Sequence, residues 1–190
     1  MSVLRVVLFL GLVFHKVVWE VLKRKNGNPG PRRPQKLTHL ARAIKTTKVL
    51  ILLFLVIQTL FLNLFPIAEN SRGIRIAGIA VFFLGLIIAV IARIQIGKNW
   101  IDLEDFQVLP DQSLVTNGVY RHIRHPIYTG DLLLVIGLQL ALNSWLVLPF
   151  LLLIPIVYHQ AAAEEVLLTK AFPDYAAYRA RTRRFIPFVV

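Results

Sequence analysis

Apolar residues in this chain fall in long, nearly unbroken runs, not in the alternating or three-and-four spacing of half-buried elements, and such runs predict helices immersed in lipid. The first run, 3–22, is interrupted by His15, Lys16 and Glu20 and has no small-residue cleavage site before its basic flank, so it reads as a signal anchor. The second, 49–67, is softened only by Gln58, Thr59 and Asn63. In the third, 74–96, Gly78 and Gly85 offer places for close approach by a neighbouring helix, and Arg93 reads as snorkelling at the end. Runs 132–142 and 145–158 form a helical hairpin split at Asn143-Ser144, with Pro149 and Pro155 bending its second leg. Each leg is shorter than the roughly 20 residues of a full span. The pattern predicts an all-α integral membrane bundle of about five transmembrane helices. It is read as one domain over 1–190, with three N-terminal spans and a basic linker in 1–96 and the helical hairpin 130–160 inside the second half, 97–190.

Composition sharpens this. The chain is 56% hydrophobic, which excludes an ordinary water-soluble domain, and it has no cysteine, which excludes disulfides, thiolate metal sites and cysteine nucleophiles. A formal net charge of +12 raises the question of nucleic acid. The basic residues instead flank apolar spans, where anionic headgroups and the topology rule account for them, so no nucleic-acid partner is expected. Lys23, Arg24, Lys25, Lys36, Arg42, Lys45 and Lys48 fill a linker without one acidic residue. With that linker, segment 97–128 and the tail after His159 on the cytoplasmic side, five alternating spans place the N-terminus outside and the C-terminus in the cytoplasm.

Residues that lipid does not explain gather in two pieces, 107–130 and 159–187. The first contains Gly118-Val119-Tyr120 and then Arg121-His122-Ile123-Arg124-His125-Pro126-Ile127-Tyr128, with Pro126 suited to the first turn of the following helix. The second contains Glu164-Glu165 and the tail Tyr175-x-x-Tyr178 with Arg184-x-x-Pro187. Taken separately these have plain readings: an aromatic and basic interfacial belt, a solvated acidic face and a lipid-binding basic end.

Their order, Leu114-Val115, Gly118-x-Tyr120, Arg124-His125-Pro126-x-Tyr128, a hairpin, Glu164-Glu165 and the Tyr and Arg-Pro tail, resembles the isoprenylcysteine carboxyl methyltransferase and phospholipid methyltransferase superfamily over roughly residues 97 to 190. The resemblance implies an enzyme that moves a methyl group from S-adenosylmethionine to a lipophilic acceptor at the membrane interface, without a metal. It implies a cytoplasmic-face cofactor site formed by the 107–130 region and the C-terminal segment. Its shell would be Gln107, Gln112, Ser113, Leu114, Val115, Tyr120, His125, Pro126, Ile127, Tyr128 and Glu164, with Gln107 the least secure. His125 is a candidate base where the acceptor must lose a proton.

At the position four before Glu164, where prenylcysteine enzymes of this superfamily carry a substrate-binding arginine, this chain has Gln160. Glutamine does not form arginine's charged fork with a carboxylate, which points to another lipid acceptor. Two other readings stay open: a nicotinamide-dependent membrane reductase on a related scaffold, and a non-catalytic lipid-binding membrane protein. Gln58, Asn63, Gln95, Asp131 and Gln139 are too scattered along the spans to line a transport path, and Asp131, just inside the hairpin, has no assigned role.

Overall fold

The computed structural model describes residues 2–26, 39–100 and 112–187. These form helices α1 (Val3–Lys25), α2 (His39–Phe61), α3 (Arg72–Ile96), α4 (Pro126–Ala141), α5 (Val147–Leu151), α6 (Leu153–Ala171) and α7 (Tyr175–Arg181). Short 3₁₀ turns occupy Gly97–Asn99 and Gly118–Arg121. Among the described residues, two helical stretches, Arg72–Asn99 and Val147–Ala171, are long and apolar enough to cross a membrane, and α4 is a shorter apolar helix.

The packing axis is the antiparallel pair α3 and α4, and small residues make it possible. A Cβ on Gly78 would lie 2.1 Å from the Ala141 backbone nitrogen, and one on Gly137 would lie 2.2 Å from that of Phe82. Gly85 and Gly130 meet the partner backbone in the same way, so the two helices touch main chain to main chain, which rewards van der Waals packing where lipid offers no hydrophobic drive. Leu8 and Leu12 of α1, Leu55 of α2, Phe82 and Leu86 of α3 and Leu134 and Leu138 of α4 complete the core.

Polar groups within the bundle are paired across helices. Gln58 and Gln139 exchange two amide hydrogen bonds of 2.8 and 3.0 Å, joining α2 to α4. The Arg5 guanidinium donates to the carbonyl oxygens of Gln58, Thr59 and Leu62, tying the start of α1 to the end of α2. Thus two of the scattered polar positions serve helix packing.

The structure refines the sequence expectation in three places. α2 begins at His39, inside the basic linker, and stops at Phe61, and further on Pro66 disfavours helical geometry at Phe65, which adopts φ 48°. The second hairpin leg is broken at Leu152 into α5 and α6, as Pro149 and Pro155 each remove a backbone donor. Arg93 does not snorkel: its side chain is 1% exposed, donates to the Gly97 carbonyl at 3.1 Å and lies over the Trp100 ring at 5.2 Å.

At one end of the bundle the 62–71 connection pairs with the hairpin turn. Trp145 donates to the Phe65 carbonyl at 2.8 Å, and the Asn143 side chain brackets Ala68. Asn143 takes the left-handed conformation, φ 58°, that a tight hairpin turn needs. The other end carries the chemistry.

Candidate active site

Two segments distant in sequence build the site. The loop before α4 and the C-terminal tail run side by side: Arg124 donates its backbone N–H to the Arg183 carbonyl at 2.8 Å, His125 to Arg184 at 3.1 Å, and Arg183 back to His122 at 3.1 Å. Ile123 and Arg183 form a parallel bridge. Pro126 is buried at the first turn of α4, where its missing N–H costs nothing.

A buried carboxylate fastens the two segments. Glu165, 2% exposed, accepts from Arg124 Nε at 2.9 Å, from Arg184 Nε and Nη2 at 2.9 Å each, and faces His125 Nε2 at 3.2 Å. Arg124 also donates to the Thr182 carbonyl, and Arg184 lies over the Tyr158 ring at 4.5 Å. Hydrogen bonding to Glu165 holds the Arg184 guanidinium even more firmly protonated than usual.

Beside this clasp lies a cleft of about 760 Å³, counting the volume open to solvent at its mouth. Gln112, Ser113, Leu114, Val115, Tyr120, His125, Ile127, Tyr128 and Glu164 line it, so the structure brings these predicted residues to one surface. Pro126 stands behind that wall, setting the start of α4. Gln107 lies outside the described residues. Gln160 is half buried one turn before Glu164 on α6 and does not line the cleft.

The two glutamates separate by one residue of helical rotation. While Glu165 turns inward, Glu164 keeps 37% of its side chain exposed and accepts a hydrogen bond from the Tyr128 hydroxyl at 3.1 Å. His125 stacks on Tyr128 with centroids 5.4 Å apart and planes 6° from parallel, and its Nδ1 is 3.6 Å from Glu164 Oε2. Both imidazole nitrogens therefore face carboxylates, a geometry that fixes the ring.

Several lining residues were not anticipated: Ile96, Asn99 and Trp100 from the end of α3, Arg124, and Leu168, Phe172, Tyr175 and Tyr178. Asn99 Oδ1 accepts the Ser113 backbone N–H at 2.8 Å, tying the 112–115 wall to α3. The Tyr178 hydroxyl donates to the Tyr120 carbonyl at 2.8 Å. Burial pushes the Tyr178 hydroxyl up to about 12 and raises Tyr120 and Tyr175 further. Tyr175 is wholly buried, and its hydroxyl has no hydrogen-bond partner among the described residues. The Tyr and Arg-Pro spacing of the tail was the signal that could have marked these positions.

Among the described residues the chain is an all-helical bundle with a polar-rimmed cleft at one end. The fold matches the solved structure of a eukaryotic intramembrane Ras methyltransferase, isoprenylcysteine carboxyl methyltransferase, with a TM-score of 0.64 at 23% identity, covering 100% of this chain and 69% of that one. The sequence pattern of the phospholipid methyltransferase family matches residues 74–175, more than half of the 190 residues, and the chain belongs to that family.

Among its relatives, the cobalt-zinc-cadmium resistance protein CzcN of Cupriavidus metallidurans is 39% identical over 82 residues, 40% of this chain and 37% of that protein. The protein-S-isoprenylcysteine O-methyltransferase of Tribolium castaneum is 29% identical over 136 residues, 70% of this chain and 47% of that protein. The chain thus spans less than half the length of either of these relatives. Protein-S-isoprenylcysteine O-methyltransferase A of Arabidopsis thaliana is 30% identical over 129 residues, 66% of this chain and 66% of that protein.

Proposed function

We propose that this protein transfers a methyl group from S-adenosylmethionine to a lipophilic acceptor that enters from the bilayer. The observation that carries the reading is the cleft itself: the Tyr128 to Glu164 hydrogen bond and the buried Tyr175 hydroxyl, which has no partner among the described residues, belong to one polar and aromatic wall. The bound sulfonium cofactor supplies an already activated methyl carbon.

The residues present fit that cofactor. Glu164 retains acceptor capacity beyond its bond from Tyr128 and would take an ammonium. Leu114, Val115 and Ile127 give apolar wall for a base, and Gln112, Ser113 and the Tyr175 hydroxyl give polar groups for a sugar. The Tyr120 and Tyr128 rings favour a cationic centre. Positioning and exclusion of water carry the rate, and the Glu165 clasp, by holding loop to tail, maintains the geometry. With both nitrogens facing carboxylates, His125 positions Tyr128 instead of collecting a proton.

The proposal includes five spans, the N-terminus outside and the cleft at the cytoplasmic face. It is supported by Lys23, Arg24 and Lys25 at the end of α1 and by Arg179, Arg181, Arg183 and Arg184 near the cleft, all on one end of the bundle. The relatives named for isoprenylcysteine methylation suggest a prenylcysteine acceptor. Gln160 favours a different lipophile, since Arg124 and Arg184 are both committed to Glu165.

The test is transfer of label from S-adenosylmethionine, tritiated in the methyl group, into organic-extractable product by purified protein in lipid vesicles. Label that depends on Glu164 supports the reading. Failure to transfer label, together with oxidation of a reduced nicotinamide, would establish the reductase in its place.

A further inference from the structure

Among the described residues, one ionisable pair that the site does not use joins two helices. His15 Nε2 of α1 stands 3.0 Å from Asp131 Oδ1 of α4, with the two side chains 22% and 43% exposed. Both residues belong to apolar helices, and ionisable groups at membrane depth are expensive enough to require a purpose. His15 lies eight residues before the basic end of α1, about 12 Å along the helix from it at 1.5 Å per residue. It also lies outside the residues matched by the family pattern, 74–175.

The pair does not line the cleft itself but is joined to it by neighbouring side chains. Asp131 follows Ile127 by four residues and Tyr128 by three, so it shares their face of α4 one turn deeper. The His15 ring stacks on Trp19 at 4.0 Å, and Trp19 meets Trp100, a cleft-lining residue, edge to face at 6.3 Å. A continuous aromatic and helical wall therefore leads from the cleft to the pair. With Nε2–H donated to Asp131, the remaining nitrogen, Nδ1, carries the lone pair and has no partner among the described residues.

We propose that His15, oriented by Asp131, is the proton acceptor for a lipophilic acceptor bearing an N–H or O–H group. This rests on the methyltransferase reading and deepens it. The N–H or O–H bond breaks with its electron pair left on the acceptor and its proton passed to His15 Nδ1. The new C–N or C–O bond forms as the S–C bond breaks, the sulfur keeping that pair as a neutral thioether. His15 is then a catalytic residue and Asp131 a positioning residue.

The experiment uses full-length protein in phosphatidylglycerol vesicles with octadecylamine, octadecanol or palmitate as acceptor and tritiated S-adenosylmethionine as donor. Label is expected in the amine or the alcohol. His15→Ala should lower kcat about 100-fold or more with little change in KM, and added imidazole should restore part of it. Asp131→Asn should also lower kcat, and Asp131→Glu should recover most of it. Calorimetric binding of S-adenosylmethionine should be unchanged in all three variants.

A second readout needs no turnover: a bromine-labelled octadecylamine should quench Trp19 fluorescence, judged against Trp19→Phe, and Asp131→Asn should weaken that quenching. Wild-type kcat in His15→Ala, a loss that imidazole does not rescue, or transfer to palmitate alone would overturn the proposal. Loss of cofactor binding by the wild-type protein would overturn the methyltransferase reading itself.

Discussion

Replacing Glu165 by glutamine tests the clasp that joins the two halves of the site. In the wild-type protein this buried carboxylate receives Nε of Arg124, Nε and Nη2 of Arg184 and faces His125 Nε2, all within 3.2 Å. Glutamine keeps the shape but removes the charge and turns an NH₂ toward guanidinium donors. Arg124, whose side chain is only 8% exposed, is then left as an uncompensated buried cation. Removing one partner of such a pair costs about 3–5 kcal/mol. For a chain of this size 1 kcal/mol moves the melting temperature by about 2–4 °C, so Glu165→Gln should lower Tm by about 6–20 °C. Glu20→Gln is the control: its pair with Arg24 is solvent-exposed, and its loss should cost no more than about 0.5 kcal/mol. Thermal unfolding in detergent reads both. A Glu165→Gln melting temperature equal to that of Glu20→Gln would refute the structural role given to the clasp.

The Gln58 and Gln139 pair predicts non-additivity: each single change to leucine strands a buried amide and should cost about 1–3 kcal/mol, while the double change should be close to neutral in the same unfolding assay. Gly78→Ala should abolish folded yield, because its Cβ meets the Ala141 backbone, whereas Gly73→Ala, with nothing within 4 Å, should express normally. Tyr178 sets an alkaline limit. Its hydroxyl is held neutral up to about 12 against an ordinary 10.0, so its contribution is intact below about 10 and is lost as pH rises through about 12. Tyr178→Phe should cost about 1 kcal/mol at neutral pH for the lost bond to Tyr120, and its stability should fall less steeply than wild type between those two pH values.

Much of this was legible in the sequence because lipid imposes a simple grammar. The apolar runs located the cores of α1, α3 and α4, the two prolines foretold a bend where the second hairpin leg is broken, and Gly78 and Gly85 marked a close helix contact. What pattern did not convey was partnership. Arg93 reads like any cation at a helix end, yet folding the 97–100 turn back over it buries it against Trp100. Glu164 and Glu165 are indistinguishable as an acidic pair until helical rotation sends one to the cleft and the other into the clasp. Asp131 had no visible partner until α1 brought His15 to it across 116 residues of sequence.

Calorimetric binding of S-adenosylmethionine to the purified protein, beside Glu164→Ala and Tyr128→Phe, tests the central claim most directly. The account predicts binding by the wild-type protein, weakened about 10- to 100-fold by Glu164→Ala through loss of a charge-assisted bond and by a smaller factor in Tyr128→Phe. Well-folded protein that binds no cofactor, or that binds it equally well without Glu164, would contradict it.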